Sequence, residues 1–294
     1  MKFLVLFFTF ITASFTIYSQ VVTNFSINET ISMDGILVEG DTIYITEGWD
    51  GTRVFRIIPD GTVSVFADGL SGPIDIVKRD DGNFFVSEWT GDQISIITPD
   101  GTVTPYADVL AGPGPMVLDS DGNIYVTHNN NDGSGYFTVI DNDGISAVTT
   151  GEGILINPGG IDFGPDGNIY IANFNDGNII QLNDGIFEVF ATISSPGFWK
   201  TGHLVAGTDK LYVSGISSHY IYSIDMTGEV EVFAGTGIPG NTSGPIASSQ
   251  FTNPNGIAFN GTKTKLYISK AFEADDYFQI IDFGVSGIAD NPLD

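Results

Sequence analysis

The chain has 294 residues with 36 acidic against 10 basic side chains, a formal charge of −26 and no cysteine. That balance repels polyanions and argues against nucleic acid or an anionic membrane surface as partner. The lack of thiols excludes a disulfide framework, a cysteine nucleophile and a thiolate zinc site.

Met1-Lys2 leads into an apolar run over residues 3–11 and a small-residue stretch through Ala13, Ser14 and Ser19, the layout of a secretory signal peptide over residues 1–19. The run is shorter than the ~20 apolar residues that a bilayer span needs. Residues 20–294 are expected to form one domain of a secreted or periplasmic protein, monomeric and without membrane insertion. Export without cysteine points to a bacterium.

Residues 20–25 read as a lone strand, and six related units follow. Each carries one apolar-aromatic core: Ile43-Tyr44-Ile45, Phe84-Phe85-Val86, Ile124-Tyr125-Val126, Ile169-Tyr170-Ile171, Leu211-Tyr212-Val213 and Leu266-Tyr267-Ile268. Asp-Gly markers run in phase with them at Asp60-Gly61, Asp100-Gly101, Asp143-Gly144 and Asp184-Gly185. A third marker follows as Val65-Phe66-Ala67, Pro105-Tyr106-Ala107, Val189-Phe190-Ala191 and Val232-Phe233-Ala234. In the second unit the alternating pattern predicts strands over residues 73–78, 83–88, 93–98 and 102–106. Two-residue hairpins at Asp-Gly explain much of the glycine and aspartate, since such a turn needs positive φ. Four strands per unit and six units predict an all-β fold, a six-bladed β-propeller of four-stranded antiparallel blades. Residues 20–25 are expected to close it beside residues 277–283.

Ala234-Gly235-Thr236-Gly237 together with Phe251-Thr252-Asn253-Pro254-Asn255-Gly256-Ile257-Ala258 resembles an NHL repeat. Ile45-Thr46-Glu47, Val86-Ser87-Glu88 and Ile97-Thr98-Pro99-Asp100-Gly101 are similar to virginiamycin B lyase repeats, and all six units fit the wider group that includes gluconolactonases. The resemblance covers nearly the whole mature chain. It implies a six-bladed fold, and it spans lyases, lactone hydrolases and pure binding modules.

The loops between second and third strands, and those leading into the next blade, open on one face. They read as the long, irregular loops, so function is expected there, around the central channel. All three histidines, His128, His203 and His219, fall on this face, and so do the three tryptophans, Trp49, Trp89 and Trp199. Asn130, Asn173, Phe174 and Asn255 join them as ligand-binding candidates, with Phe272 nearby. The lyase resemblance implies histidines and a glutamate acting with magnesium, which makes the three histidines catalytic candidates and Glu47 and Glu88 metal candidates. A calcium or magnesium ion is thus the cofactor of the enzyme alternative. The lactonase resemblance asks for a glutamate at the first blade's lead-in, where this chain has Asp34, and for asparagines or an aspartate later, of which Asn255 alone is well placed. Asp119-Ser120-Asp121-Gly122-Asn123 and Asp141-Asn142-Asp143-Gly144 mimic calcium loops but lack the twelfth-position glutamate. Gly235 to Gly240 mimics a dinucleotide fingerprint without the helix that one requires.

Two function classes follow. One is a binding module that takes a small molecule, carbohydrate or protein on the long-loop face through its aromatics. The other is a metal-assisted lyase or lactone hydrolase at the central channel.

Overall fold

The structure, a computed structural model, describes residues 20–129, 135–151 and 153–284. The expected signal peptide over residues 1–19 lies outside them, as does Asn130. Strand β1 (Val21–Ile31) precedes the first blade. That blade is β2 (Ile36–Glu39), β3 (Thr42–Thr46), β4 (Val54–Ile57) and β5 (Val63–Ala67). The second is β6 (Pro73–Lys78), β7 (Phe84–Glu88), β8 (Gln93–Ile97) and β9 (Val103–Asp108), within two residues of the strands that its alternation predicts. The third runs β10 (Pro113–Leu118), β11 (Ile124–His128), β12 (Tyr136–Ile140) and β13 (Ser146–Thr150), and the fourth β14 (Pro158–Phe163), β15 (Ile169–Asn173), β16 (Asn178–Asn183) and β17 (Ile186–Thr192). The fifth is β18 (Leu204–Ala206), β19 (Lys210–Gly215), β20 (Tyr220–Asp225) and β21 (Val230–Ala234). After a short β22 (Gly244–Pro245), the last blade holds β23 (Pro254–Phe259), β24 (Lys265–Lys270) and β25 (Asp275–Asp282).

β1 completes this last sheet. It pairs antiparallel with β25 from Val21 opposite Asp282 to Ser26 opposite Tyr277, then past a register shift to Ile31 opposite Asp275. The closing strand is therefore longer than residues 20–25. Phe25 stacks on Phe278 at 4.9 Å, and Asn28 reaches the first blade by donating to the Gly61 carbonyl. Among the described residues no helix is long and apolar enough to cross a membrane.

The Asp-Gly turns mostly differ from two-residue hairpins. At Thr98-Pro99-Asp100-Gly101 the Gly101 amide donates to the Thr98 carbonyl at 2.8 Å and Gly101 has φ +88°. This is a type I turn followed by a left-handed glycine bulge, with proline at its favoured second position. Only the positive φ survives from the simpler expectation. Asp184-Gly185 does form a two-residue type I′ loop, with both residues at positive φ (+48° and +81°).

The cores lie between blades, because neither face of a single sheet can be left in water. One cluster joins Ile27, Ile31 and Phe278 of the closing sheet to Ile45, Phe55 and Ile57 of the first blade. Another joins Tyr212 and Ile221 of the fifth blade to Val22, Leu266 and Ile281. Nearer the axis, a buried hydroxyl at the same position of several second strands ties each blade to the next. Thr46 donates to the Ile74 carbonyl (2.7 Å), Thr127 to that of Gly159 (2.8 Å) and Ser214 to that of Asn255 (2.5 Å). Ser269 closes the ring by donating to the Asp34 carbonyl. The innermost strands thus approach so closely that side chains are excluded at some positions. A Cβ on Gly160 would overlap the Leu204 amide, and one on Gly256 the Asp34 carbonyl oxygen.

The loop faces also differ from expectation. Residues 89–92 and 216–219 make short turns, and the longest connections on the functional face are residues 193–203 and 235–253.

Candidate functional site

The heads of the innermost strands converge on the axis and form the floor of a cup of about 330 Å³. Small residues create it: Gly114, Gly159 and Gly202 stand where other blades present Asp34, Ile74 and Asn255. A Cβ at Gly202 would come within 2.7 Å of both Asn255 Oδ1 and Ser214 Oγ, so a larger residue there would push into the floor. Trp49, Trp89, Phe174 and Phe272 make the aromatic wall. Trp49 is 58% exposed and Phe272 54%, a large apolar area to leave in water. Trp199 backs the wall, its ring 4.4 Å from that of Phe272.

The polar part of the floor is small. Asn255 Nδ2 donates to Asp34 Oδ1 at 2.7 Å, and His203 Nε2 lies 3.8 Å from the same oxygen, an ion-pair distance. Burial alone would push the His203 pKa down, but Asp34 and Asp75 more than reverse it and the net direction is up. Burial pushes the Asp75 carboxyl up, against the pull of His203 and the Met116 amide that donates to it at 2.8 Å. Two carboxyl groups beside His203 thus favour the charged form of its ring. His203 also lines a second hollow, of about 260 Å³, that opens on the other side of the channel beside Asp75 and Asp162. Burial raises Asp162 to about 6.

Of the other site candidates, Trp49, Trp89, Phe174 and Asn255 join His203 at the cup. Glu47, Glu88, His128 and Asn173 do not, and they share a reason. All four occupy one repeat position at the end of the second strand, where the side chain is taken up by neighbouring protein groups. Glu47 accepts from the Thr52 and Arg53 amides and pairs with the Arg53 guanidinium. Glu88 accepts from the Ser71 amide, Gln93 and Ser95. Asn173 accepts from the Ile156 amide and donates to the Ile154 carbonyl. His128 is fully buried with Nε2 2.8 Å from Thr138 Oγ1, and burial lowers its pKa to about 4. His219, at φ +59°, accepts the Asn253 amide on Nδ1 at 3.2 Å and braces the loop into the last blade.

A divalent cation does not suit these donors. The Glu47 and Glu88 carboxylates are already saturated by protein N–H and O–H groups, and the floor offers one carboxylate, one amide and one imidazole that faces acids. Calcium takes 6–8 oxygens. Among the described residues, no three His, Asp or Glu side chains are grouped to hold a metal ion.

The histidines give a direct check of this electrostatic picture. In a proton–carbon NMR titration, His128 is expected to titrate near 4, His219 below the ordinary histidine value of 6.5, and His203 above it. The sign for His203 means that its pairing stabilises the fold fully below pH 6.5 and is lost as pH rises through its folded pKa. A His203 ring that titrates below 6.5 would mean that burial outweighs the pull of Asp34 and Asp75.

No protein-family model matches the chain, and no curated protein matches it in sequence. Among solved structures it is similar to virginiamycin B lyase from Staphylococcus aureus, with TM-score 0.63 and 18% identity over 90% of this chain and 99% of that one. A gluconolactonase from Xanthomonas campestris matches with TM-score 0.68 and 15% identity over 91% and 95% of the two chains. An auxiliary nutrient binding protein from Bacteroides thetaiotaomicron matches with TM-score 0.69 and 16% identity, over 89% of this chain and 76% of that one. At these identities the likeness is one of fold: the chain has the six-bladed propeller that lyase, lactonase and nutrient-binding proteins share.

Proposed function

We propose that this chain is a ligand-binding propeller, exported from a bacterial cell by residues 1–19, which takes a small molecule in the axial cup. One observation carries the reading: a preformed hollow of about 330 Å³ walled by four aromatic side chains, two of them more than half exposed. Rings in that position bury large area on contact and hold little rotamer entropy to lose. The floor supports orientation of a ligand, with Asp34 and Asn255 fixing one polar end. A nutrient-binding protein among the fold neighbours is consistent with this use of the scaffold.

The test is a ligand screen read by tryptophan fluorescence and thermal shift, followed by Trp49→Ala and Phe272→Ala. A ligand of the cup is expected to quench the wild type and to lose about tenfold or more in affinity in each variant, since interface aromatics commonly cost more than 1 kcal/mol when truncated. A ligand that binds both variants with unchanged affinity would place binding elsewhere.

The Asp34–His203 pair supports a second reading, in which the cup is the site of a lyase or lactone hydrolase and His203 moves a proton. Turnover of a lactone that is abolished in His203→Asn, with folding retained, would favour it over simple binding. Equal turnover in that variant would remove His203 from the chemistry.

A further inference from the structure

We propose that the cup selects an organic cation, a protonated amine carried on a planar or apolar body. The inference rests on the reading of the cup as a binding site and adds the class of ligand. Asp34 Oδ1 is engaged by Asn255 and faces His203, but no described residue donates to Oδ2, and the side chain remains 17% exposed at the cup floor. A carboxyl oxygen without a donor, on a side chain that lines an apolar hollow, is completed by an N–H of the ligand. Above it stand the faces and edges of Trp49, Trp89, Phe174 and Phe272, and aromatic faces attract cations through the ring quadrupole.

The charges around the mouth act in the same direction. No lysine or arginine lines the cup. The three cations of this face are turned to other partners: Arg53 to Glu47, Lys270 to Asp275 and Glu273, and Lys200 to the Asp176 carbonyl. His203 Nε2 is turned to Asp34 Oδ1 at 3.8 Å. With a chain charge of −26, the field at the mouth draws cations in and keeps carboxylates and phosphates out. A neutral sugar could stack on the same rings but would leave Oδ2 without a charged partner.

Three isosteric probes separate these cases: 2-phenylethylamine, 2-phenylethanol and phenylacetate, each titrated into the full mature chain at pH 7 by calorimetry and tryptophan fluorescence. The amine is expected to bind about tenfold or more tighter than the alcohol, the ratio that one charge-assisted contact supplies. Phenylacetate is expected to bind weakest. Asp34→Asn, which keeps the acceptor for Asn255, should abolish the preference for the amine over the alcohol. In the wild type, raising salt from about 0.05 to about 0.5 M should weaken the amine and not the alcohol. Equal binding of amine and alcohol by the wild type, both lost in Trp49→Ala, would overturn the cation preference and leave the binding site standing. Failure of all three to bind would count against the cup as a site for aromatic ligands and so against both readings.

Discussion

A chain that starts at Ser32 will not fold to a stable propeller. It loses β1, which pairs with β25 along most of its length and so joins the chain's N-terminal segment to the last sheet. Val22, Ile27 and Ile31 are buried at 1%, 7% and 5% exposure in the two seams that flank this sheet, and Phe25 stacks on Phe278. Each such side chain contributes about 1.5–3 kcal/mol on burial. Their sum is comparable with the ~5–15 kcal/mol of net stability that a domain has. The truncation also leaves β25 as a bare edge, ready to pair with other chains. Circular dichroism and gel filtration should show a chain that aggregates or lacks a cooperative transition. A truncated protein whose melting stays within a few degrees of the full chain would mean that the ring does not depend on its closing strand.

Gly256→Ala is the second large effect. The new methyl group would overlap the Asp34 carbonyl oxygen and crowd Ser269 Oγ, which donates to that same carbonyl across the seam. The nearest obstacle is backbone, which cannot rotate aside as a side-chain end can, so relief requires the first and last blades to separate at the axis. Overpacking usually costs about 1–3 kcal/mol, and a clash with backbone in a closed ring belongs at or above the top of that range. Gly261→Ala is the control, because a Cβ there meets nothing within 4 Å and its φ is ordinary. Urea denaturation should place Gly261→Ala within about 0.5 kcal/mol of wild type, as for most surface changes. Asp34 carries both the clashing carbonyl and the floor carboxylate, so Gly256→Ala should also weaken any ligand of the cup. Equal stability of the two variants would contradict the tight axial packing.

Much of the fold is legible in sequence because its determinants are local and repeated. The aromatic-centred cores mark the second strand of each blade, and the aspartates and glycines mark the turns. The end of the closing strand is less legible. Val22, Ile27 and Ile31 are its buried residues, spaced five and four apart with a register shift between Ser26 and Ile31, so the two-residue alternation that marks a strand breaks off after Phe25. The site is legible in part. Placing the histidines, tryptophans and Asn255 on one face needs only the repeat phase, but the direction of each side chain does not follow from that phase. Glu47, Glu88, His128 and Asn173 lie at one repeat position, and only the hydrogen bonds and ion pair that take up their side chains, with Arg53, Ser71, Thr138 and Ile156 among the partners, show that they turn away from the cup. Asp34 is masked for a different reason. Asp34-Gly35 is one of twelve Asp-Gly pairs in the chain, and eleven of them are available to be read as turns. Its register matches Asn255-Gly256 rather than the turns, and that phase is the signal by which it is found. Asp75 sits inside an apolar strand, where its partner His203, three blades away, cannot be anticipated.

The most direct test of the whole reading is a crystal structure of the mature chain with the ligand that stabilises it most in solution. The expected result is a ligand on the axis between Trp49, Trp89 and Phe272, with its polar end toward Asp34. A ligand seated instead in the hollow on the opposite side of the channel, beside Asp75 and Asp162, or on the outer strands, would contradict the cup as the functional site.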